Sequence, residues 1–371
     1  MSAEDQKQMK VYLVDIVTKD TKLDVLEDRM RELKNLVETY GGLVILKKFQ
    51  KKDQPDYQTY VGKGKLEEIM ADMVRLDANL LIVGNVLKPS QIYHLNELLR
   101  PIKAEARDRV DLILKIFGKH AESMESRLQI ELASIRHMGP RIYGMGMELS
   151  RQGGGIGTSG IGETNTEIMK RHLKEKRLKI EGKLQEYEKM RKLHREGRIR
   201  KGMPTVGIVG YTNAGKSSLL NSLTKKGVLA ENKLFATLGT HVGNVYIMDP
   251  KTGLGKEVLL NDTIGFIREL PPKLIKSFSS TLEDSIESDL LLHVIDASDP
   301  FIQERIDVVN EILDKIGAKQ KRINVFNKID LIDKQQLAEL QKHYPDPNNV
   351  RISVQESEGL NNVKLAIQKN L

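Results

Sequence analysis

Apolar positions in the first 118 residues alternate between short continuous runs and helically spaced sets. Val11-Tyr12-Leu13-Val14, Leu43-Val44-Ile45-Leu46, Leu80-Leu81-Ile82-Val83 and the stretch from Leu112 to Ile116 read as buried strands. Between the first two, Leu23, Leu26, Met30, Leu33, Leu36 and Val37 recur at intervals of three and four, which predicts a helix over 22–39 that stops before Gly41-Gly42. Uniformly apolar strands separated by amphipathic helices belong to parallel sheets covered on both faces. An α/β subdomain is therefore expected over residues 1–118.

From 119 to 203 the strand signals disappear and helix formers dominate, interrupted by the glycine-rich stretch 151–162. Two helices around a loop are predicted. In the second, Leu173, Ile180 and Tyr187 are seven apart with Leu184 between, a stripe suited to packing on Met124, Leu128, Leu132 and Ile135 of the first. After Pro204 the alternation returns, with strand-like runs at Val206 to Val209, Asn244 to Ile247, Val258 to Leu260, Leu291 to Ile295, Ile323 to Phe326 and Val350 to Ser353. This predicts a second doubly wound α/β domain over 204–371. A chain of 371 residues has room for two domains and a connector.

Composition narrows the function classes. Hydrophobic residues make up 39% and charged residues 30%, enough to build cores. No apolar run approaches the roughly 20 residues of a membrane span. Met1-Ser2-Ala3-Glu4-Asp5 is polar and acidic, unlike a secretory signal, so a cytoplasmic protein is expected. With no cysteine, thiolate metal sites and cysteine nucleophiles are excluded. The 8 histidines show no ligand spacing, and His293, inside an apolar run, reads as a strand residue. The net charge of +8 is local: residues 167–201 hold 14 Lys and Arg against 6 Asp and Glu, while the rest of the chain balances 45 against 45. Such a basic helical face fits either a solvated spacer or a surface for phosphate backbones.

The chemistry sits in the second α/β domain. Gly210-Tyr211-Thr212-Asn213-Ala214-Gly215-Lys216-Ser217 matches G-x-x-x-x-G-K-[ST] between a predicted strand and a helical run that starts at Ser218. Its glycines allow backbone N–H groups to turn around phosphate oxygens at a helix N-terminus. Lys216 is placed to reach the β and γ phosphates, and Ser217 to offer a hydroxyl to Mg²⁺. Asp262-Thr263-Ile264-Gly265 follows another strand, supplying a carboxylate for the Mg²⁺ shell and, at Gly265, an N–H that can sense the γ-phosphate. Asn327-Lys328-Ile329-Asp330 resembles the N-K-x-D motif of GTPases. There Asp330 would accept hydrogen bonds from guanine N1–H and the 2-amino group, with Asn327 and Lys328 bracing the loop.

Three segments complete the candidate site. Ser353-Val354-Gln355 occupies the place of the S-A-K-like turn that touches guanine O6, with Val354 for the usual alanine. Phe235 and Thr237 lie in the switch stretch between the phosphate loop and Asp262. Thr237, with Thr240 as its rival, would add a second hydroxyl to Mg²⁺. Lys216, Thr237 and Gly265 are the candidates for stabilising hydrolysis, Phe266 standing where signalling GTPases place a water-orienting glutamine, so slow intrinsic hydrolysis is expected. Asn213 either stabilises its loop or helps hold K⁺ beside the phosphates.

The order of these motifs resembles the HflX family of ribosome-associated GTPases, relatives of the Obg branch. The resemblance spans nearly the whole chain. It is carried by Gly153-Gly154-Gly155-Ile156-Gly157-Thr158 with Gly162-Glu163-Thr164, by Phe235-Ala236-Thr237-Leu238, and by Asp262-Thr263-Ile264-Gly265-Phe266-Ile267-Arg268 with Leu270-Pro271. Tyr60-Val61-Gly62-Lys63-Gly64-Lys65, Asp108-Arg109 and Leu128-Gln129-Ile130-Glu131-Leu132-Ala133 add to it. Ser159, Ile161, Asn165 and Gly239-Thr240-His241-Val242 depart from the family pattern. The separate carboxyl-terminal domain of some relatives is not expected here.

The resemblance implies a monomeric GTPase that binds GTP and GDP with Mg²⁺ and docks on the large ribosomal subunit and its rRNA through its amino-terminal and helical regions, some members splitting ribosomes. Two other readings stay open. One is an RNA- or ribosome-binding protein whose nucleotide state plays little part. The other is nucleotide binding by the amino-terminal domain around Gly62-Lys63-Gly64-Lys65, which lacks a phosphate-loop consensus.

Overall fold

A computed structural model describes residues 8–121, 123–152, 161–200, 202–224, 241–248, 253, 255–263, 265–268 and 287–371. The chain divides into two compact units, one of residues Met1–Lys119 and Ile130–Gly182, the other of His120–Gln129 and Lys183–Leu371.

In the first unit, β1 (Lys10–Val17), α1 (Leu23–Tyr40), β2 (Leu43–Lys51), α2 (Lys63–Arg75), β3 (Leu80–Val83), α3 (Pro89–Leu99), β4 (Glu105–Asp108) and α4 (Arg109–His120) follow in order. The sheet runs β2-β1-β3-β4, parallel throughout, with Val11 opposite both Val44 and Leu80. Central β1 is buried from Val11 to Val17, as its apolar run Val11 to Val14 requires, with buried Asp15 paired to Arg29. Helix α1 ends where the glycine pair predicted: Gly41 takes φ 99° and its N–H reaches Val37 O and Glu38 O, a left-handed closure that suits glycine.

The run Leu112 to Ile116 is not a strand. It lies inside α4, whose residues Val110 to Leu114, Ile116 and Phe117 are all buried. A helix enclosed on most of its circumference loses the polar face that would mark its period, so a short apolar run reads the same in both states. The fourth strand is instead the charged edge segment Glu105–Asp108. At its end Asp108 caps α4: its Oδ1 accepts from Asp111 N at 2.9 Å, and Asp111 Oδ2 accepts from Asp108 N at 3.3 Å. The next residue, Arg109, forms a buried ion pair with Glu32 of α1.

Two long helices, α5 (Met124–Gln152) and α6 (Ile161–Arg200), occupy the connector. Arg151 and Gln152 still belong to α5 and Ile161 and Gly162 already to α6, while 153–160 lie outside the described residues. The predicted stripe is the covered face of α6: Ile180 is buried and Leu173, Leu184 and Tyr187 half-buried. Arg177 and Arg191 fill the same stripe, their stems covering surface that apolar residues would otherwise take. On α5, Leu128 and Leu132 are buried, but Met124 is 59% exposed and takes no part. Lys176–Glu131 (2.6 Å) and Arg136–Glu181 (3.0 Å) tie the helices within the first unit, and Arg191–Glu125 within the second.

The second unit carries β5 (Thr205–Gly210), α7 (Lys216–Thr224), β6 (His241–Met248), β7 (Gly255–Asp262), β8 (Leu290–Asp296), α8 (Ile302–Lys315), β9 (Lys321–Asn327), α9 (Lys334–His343), β10 (Val350–Arg351) and α10 (Leu360–Asn370). Its sheet runs β10-β9-β8-β5-β7-β6, parallel except for the antiparallel edge pair β6–β7. β5 and β8 are central; apart from Thr205 at the start of β5 and Asp296 at the end of β8, their one polar residue is His293, which is a buried strand residue as expected. β10 is shorter than the run Val350 to Ser353, because Ser353 turns back to exchange two backbone bonds with Glu358. The chain leaves β5 toward β7 on one side and, later, β8 on the other, so a crevice opens at the carboxyl ends of these strands.

Candidate nucleotide-binding site

The loop after β5 enters that crevice. Gly210 lies so close to β8 that a Cβ there would run into Val294 O, and Gly215, at φ 97°, faces Asn327 in the same way. Asn213 adopts φ 65°, a left-handed conformation that asparagine tolerates better than most residues, and its side chain is exposed. Helix α7 starts at Lys216, so its N-terminal amides and dipole point into the loop. Lys216 is itself buried, its Nζ donating to Tyr211 O at 2.9 Å. Burial pushes this ammonium down to about 8, against the pull of the Asp262 carboxylate. Ser218 follows half-buried on the first turn.

Ser217 Oγ donates to Asp262 Oδ2 at 2.6 Å, bringing together a hydroxyl and a carboxylate from residues 45 positions apart. Two hard oxygen donors beside a phosphate loop are the donor set that Mg²⁺ prefers. Gly265 is confined as well, since a Cβ would stand 2.9 Å from Lys216 Nζ. Phe266 is buried; its N–H donates to Gly210 O at 3.0 Å, and its carbonyl accepts from Thr212 N at 2.7 Å. Its ring is core, and its backbone lies directly against the phosphate loop. Thr263 Oγ1 donates to Ile208 O at 2.7 Å, tying the residue after Asp262 to β5.

On the other side of the loop, buried Asn327 donates from Nδ2 to Ala214 O (2.9 Å) and accepts at Oδ1 from Val354 N (3.2 Å). One amide thereby connects the phosphate loop with the Ser353-Val354-Gln355 turn. Lys328, at φ 64°, pairs with Asp296 Oδ2 at 2.6 Å. The short 3₁₀ turn that follows carries Asp330 with its carboxylate exposed, and Ile329 N donates to Ile352 O. Ser353 is buried, its Oγ accepting from Glu356 N; Val354 is half-buried and Gln355 exposed. Gly210, Asn213 to Ser218, Asp262, Gly265, Asn327, Lys328, Asp330 and Ser353 to Gln355 thus converge on one end of one sheet. Phe235, Thr237 and Thr240 lie outside the described residues.

Several residues around the loop carried no motif. Tyr211 accepts from Arg268 N at 2.9 Å and lies under the guanidinium of Arg305, whose Cζ is 4.6 Å from the ring centroid. Asp296, the last residue of β8, lies just past the apolar run Leu291 to Ile295 and belongs to no motif. His293, beneath the site, is pushed down to about 3 by burial, with Arg322 and Lys216 adding to the effect, so it is neutral at ordinary pH. Away from the crevice, Asp108, Asp111 and His137 offer ligand atoms within 4.8 Å of one another. The helix cap and the contacts of His137 Nε2 to both carboxylates (3.2 and 3.3 Å) account for that cluster without a metal.

The comparisons with known proteins agree with this geometry. Residues 27–118 match the GTP-binding GTPase N-terminal model, 120–198 the GTP-binding GTPase middle region, and 205–328 the 50S ribosome-binding GTPase. GTPase HflX of Caldanaerobacter subterraneus subsp. tengcongensis is 44% identical over 93% of this chain and 77% of its own, and that of Escherichia coli 37% identical over 93% and 79%. The crystal structure of a complex of SsGBP and GDP covers 97% of this chain and 98% of its own, at 26% identity and a TM-score of 0.53. Among the described residues no helix is long and apolar enough to cross a membrane. With this identity running through all three matched regions, the chain belongs to the HflX family of GTP-binding GTPases.

Proposed function

We propose that this chain is a Mg²⁺-dependent GTPase that binds the large ribosomal subunit and changes its grip with its nucleotide. The observation that carries the GTPase part is the set of side-chain links at one end of the sheet: Ser217 to Asp262, and Asn327 to both Ala214 and Val354. Lys216 and the α7 N-terminal amides hold the phosphates, and Gly265 N–H meets the γ-phosphate. Asp330, exposed at the rim, reads guanine. Mg²⁺, when bound by Ser217 and Thr237 beside Asp262, neutralises charge on the β and γ phosphates. The buried Phe266 ring contributes no proton chemistry, which supports slow intrinsic turnover. Asn213, exposed in the loop, is available to a K⁺ ion.

The ribosomal part rests on the charge of α6, where Lys170, Arg171, Lys174, Lys179, Lys183, Lys189 and Lys192 are all exposed. Such a face binds phosphate backbones in a salt-sensitive way. A division into an α/β part over 1–118, a helical part over 119–203 and a GTP-binding part over 204–371 goes with this reading, as does a cytoplasmic monomer.

The test is GTP hydrolysis by the purified protein, with ATP as control, with and without large ribosomal subunits at moderate salt. A several-fold stimulation specific to GTP supports both parts. Hydrolysis indifferent to the subunits removes the partner, and no hydrolysis in either condition removes the enzyme. Equal ribosome binding with GDP and a non-hydrolysable GTP analogue would favour the second reading, an RNA-binding protein whose nucleotide state matters little.

A further inference from the structure

Tyr211 is the second residue of the phosphate loop, and its carbonyl accepts from Lys216 Nζ at 2.9 Å. Its side chain leaves the loop on the side of α8 and is 8% exposed. There its hydroxyl oxygen accepts from Arg268 N at 2.9 Å and stands 3.4 Å from Arg305 NH1. The guanidinium of Arg305 also lies over the ring, and its Nε donates to Asp299 Oδ2 at 3.1 Å. Arg268 reaches Glu304 at 3.4 Å. Both arginines are buried, Arg268 at 5% and Arg305 at 8% exposure. Two guanidiniums so enclosed are expensive to desolvate, and a surface packed for stability alone is better served by apolar side chains.

What the cluster holds explains the expense. Backbone bonds already zip Phe266 to the loop on both sides of Tyr211, through Gly210 O and Thr212 N. The Arg268 bond adds a third tie, two residues further on. The segment 266–268 is therefore tied to the phosphate loop just beyond Gly265, whose N–H would meet the γ-phosphate in the proposed function. The Tyr211 hydroxyl is thus one of three anchors that restrain the backbone leading out from Gly265.

We infer that Tyr211, Arg268 and Arg305 form a buried latch that sets the position of Gly265 for hydrolysis, which makes Tyr211 a positioning residue of the reaction. This rests on the GTPase reading of the same site. GDP has no γ-phosphate, so the latch acts on hydrolysis and GTP binding and leaves GDP binding alone. Phenylalanine at 211 keeps the ring and its contact with Arg305 but removes the acceptor for Arg268 N–H.

The full chain and its Tyr211→Phe, Arg305→Met and doubly substituted variants are compared in single-turnover GTP hydrolysis with Mg²⁺, with large ribosomal subunits present and absent. GDP affinity is measured with a fluorescent analogue. Tyr211→Phe is expected to keep GDP affinity within about twofold while the rate at saturating GTP falls about threefold to tenfold, the worth of one hydrogen bond. Arg305→Met is expected to show the same split and carries the test alone if the Tyr211→Phe chain does not fold. The double variant loses no more than the worse single one, because both act through one hydroxyl. An unchanged rate in both variants overturns the latch, as does a rate loss matched by an equal loss of GDP affinity, which a merely structural role would give. Absence of hydrolysis in the parent chain overturns the GTPase reading and the latch together; an active parent with indifferent variants overturns the latch alone.

Discussion

Titrating nucleotide binding against pH probes Lys216 directly. An ordinary lysine keeps its charge past pH 10, but burial holds this one at about 8 before nucleotide arrives. Phosphate oxygens favour the charged ammonium, so binding GDP above that pH draws a proton from solution. At pH 8.5 a group of pKa about 8 is roughly three-quarters deprotonated, which predicts uptake of about 0.75 proton per GDP and a Kd that climbs toward tenfold per pH unit beyond. The same shift has an opposite consequence for the empty protein. Its folded pKa lies below the unfolded 10.5, so between about pH 8 and 10.5 the unfolded chain binds more protons and stability rises with pH. Relief of this burial is worth about 3 kcal/mol across the window, as an order of magnitude. Calorimetry of GDP binding at pH 7 and 8.5, in buffers of different ionisation enthalpy, counts the protons. The Lys216→Arg variant, charged throughout the range, separates the lysine from the ionisation of guanine itself. Proton uptake at pH 8.5 no greater than at pH 7, or equal in the two chains, would refute the assignment of a neutralised Lys216 to the empty loop.

Two substitutions test the remainder of the site. Asp330→Asn, which removes the exposed carboxylate after the Asn327-Lys328 turn, should weaken GTP on the order of a hundredfold and shift preference toward xanthosine nucleotides. Unchanged GTP affinity in a binding titration would sink the role of Asp330. Gly215→Ala puts a methyl group against Asn327 Nδ2 at φ 97°, and Asn327 is held by both Ala214 and Val354. Strain of about 1–3 kcal/mol and a lost brace should abolish measurable GDP binding with the fold retained by circular dichroism; GDP affinity equal to the parent would contradict the geometry.

The parts of this molecule that sequence reveals are those whose cause is local. A glycine at φ 97° ahead of a helix, or a capped apolar period such as that of α1, is written in adjacent residues. The phosphate loop, Asp262 and Asn327 were legible because each follows its own strand, and a parallel sheet delivers successive strand ends to the same edge. What failed had a distant cause. Leu112 to Ile116 became helix because α4 is enclosed by its unit, and Glu105–Asp108 became strand only because β3 offers it a partner. Arg305 meets Tyr211 across 94 residues, and His137 meets Asp108 across 29, with nothing in either neighbourhood to announce it. The opposite edge pair is antiparallel because β6 and β7 are consecutive in chain and paired along their whole length, a relation that apolar runs alone do not encode.

Besides the Ser217–Asp262 bond, two side-chain tethers hold the phosphate loop, and under the proposed function they would face different parts of the nucleotide. Asn327 joins Ala214 to Val354 on the side of the base, and Tyr211 joins the loop to Arg268 on the side of the γ-phosphate. The base is common to GTP and GDP, so contacts relayed through Asn327 are the same in both states. Under the proposed function they brace the side from which Asp330 reads guanine and do not report hydrolysis. Differential free energy between the two states must enter where the ligands differ. That leaves Gly265 and the strand of bonds behind it, through Phe266 to the loop and through Arg268 to Tyr211. On the proposed reading the two tethers would divide the work: one braces the base side, the other carries the nucleotide state outward along 265–268. A family member of this kind can lose catalytic speed at the second tether while keeping its nucleotide at the first.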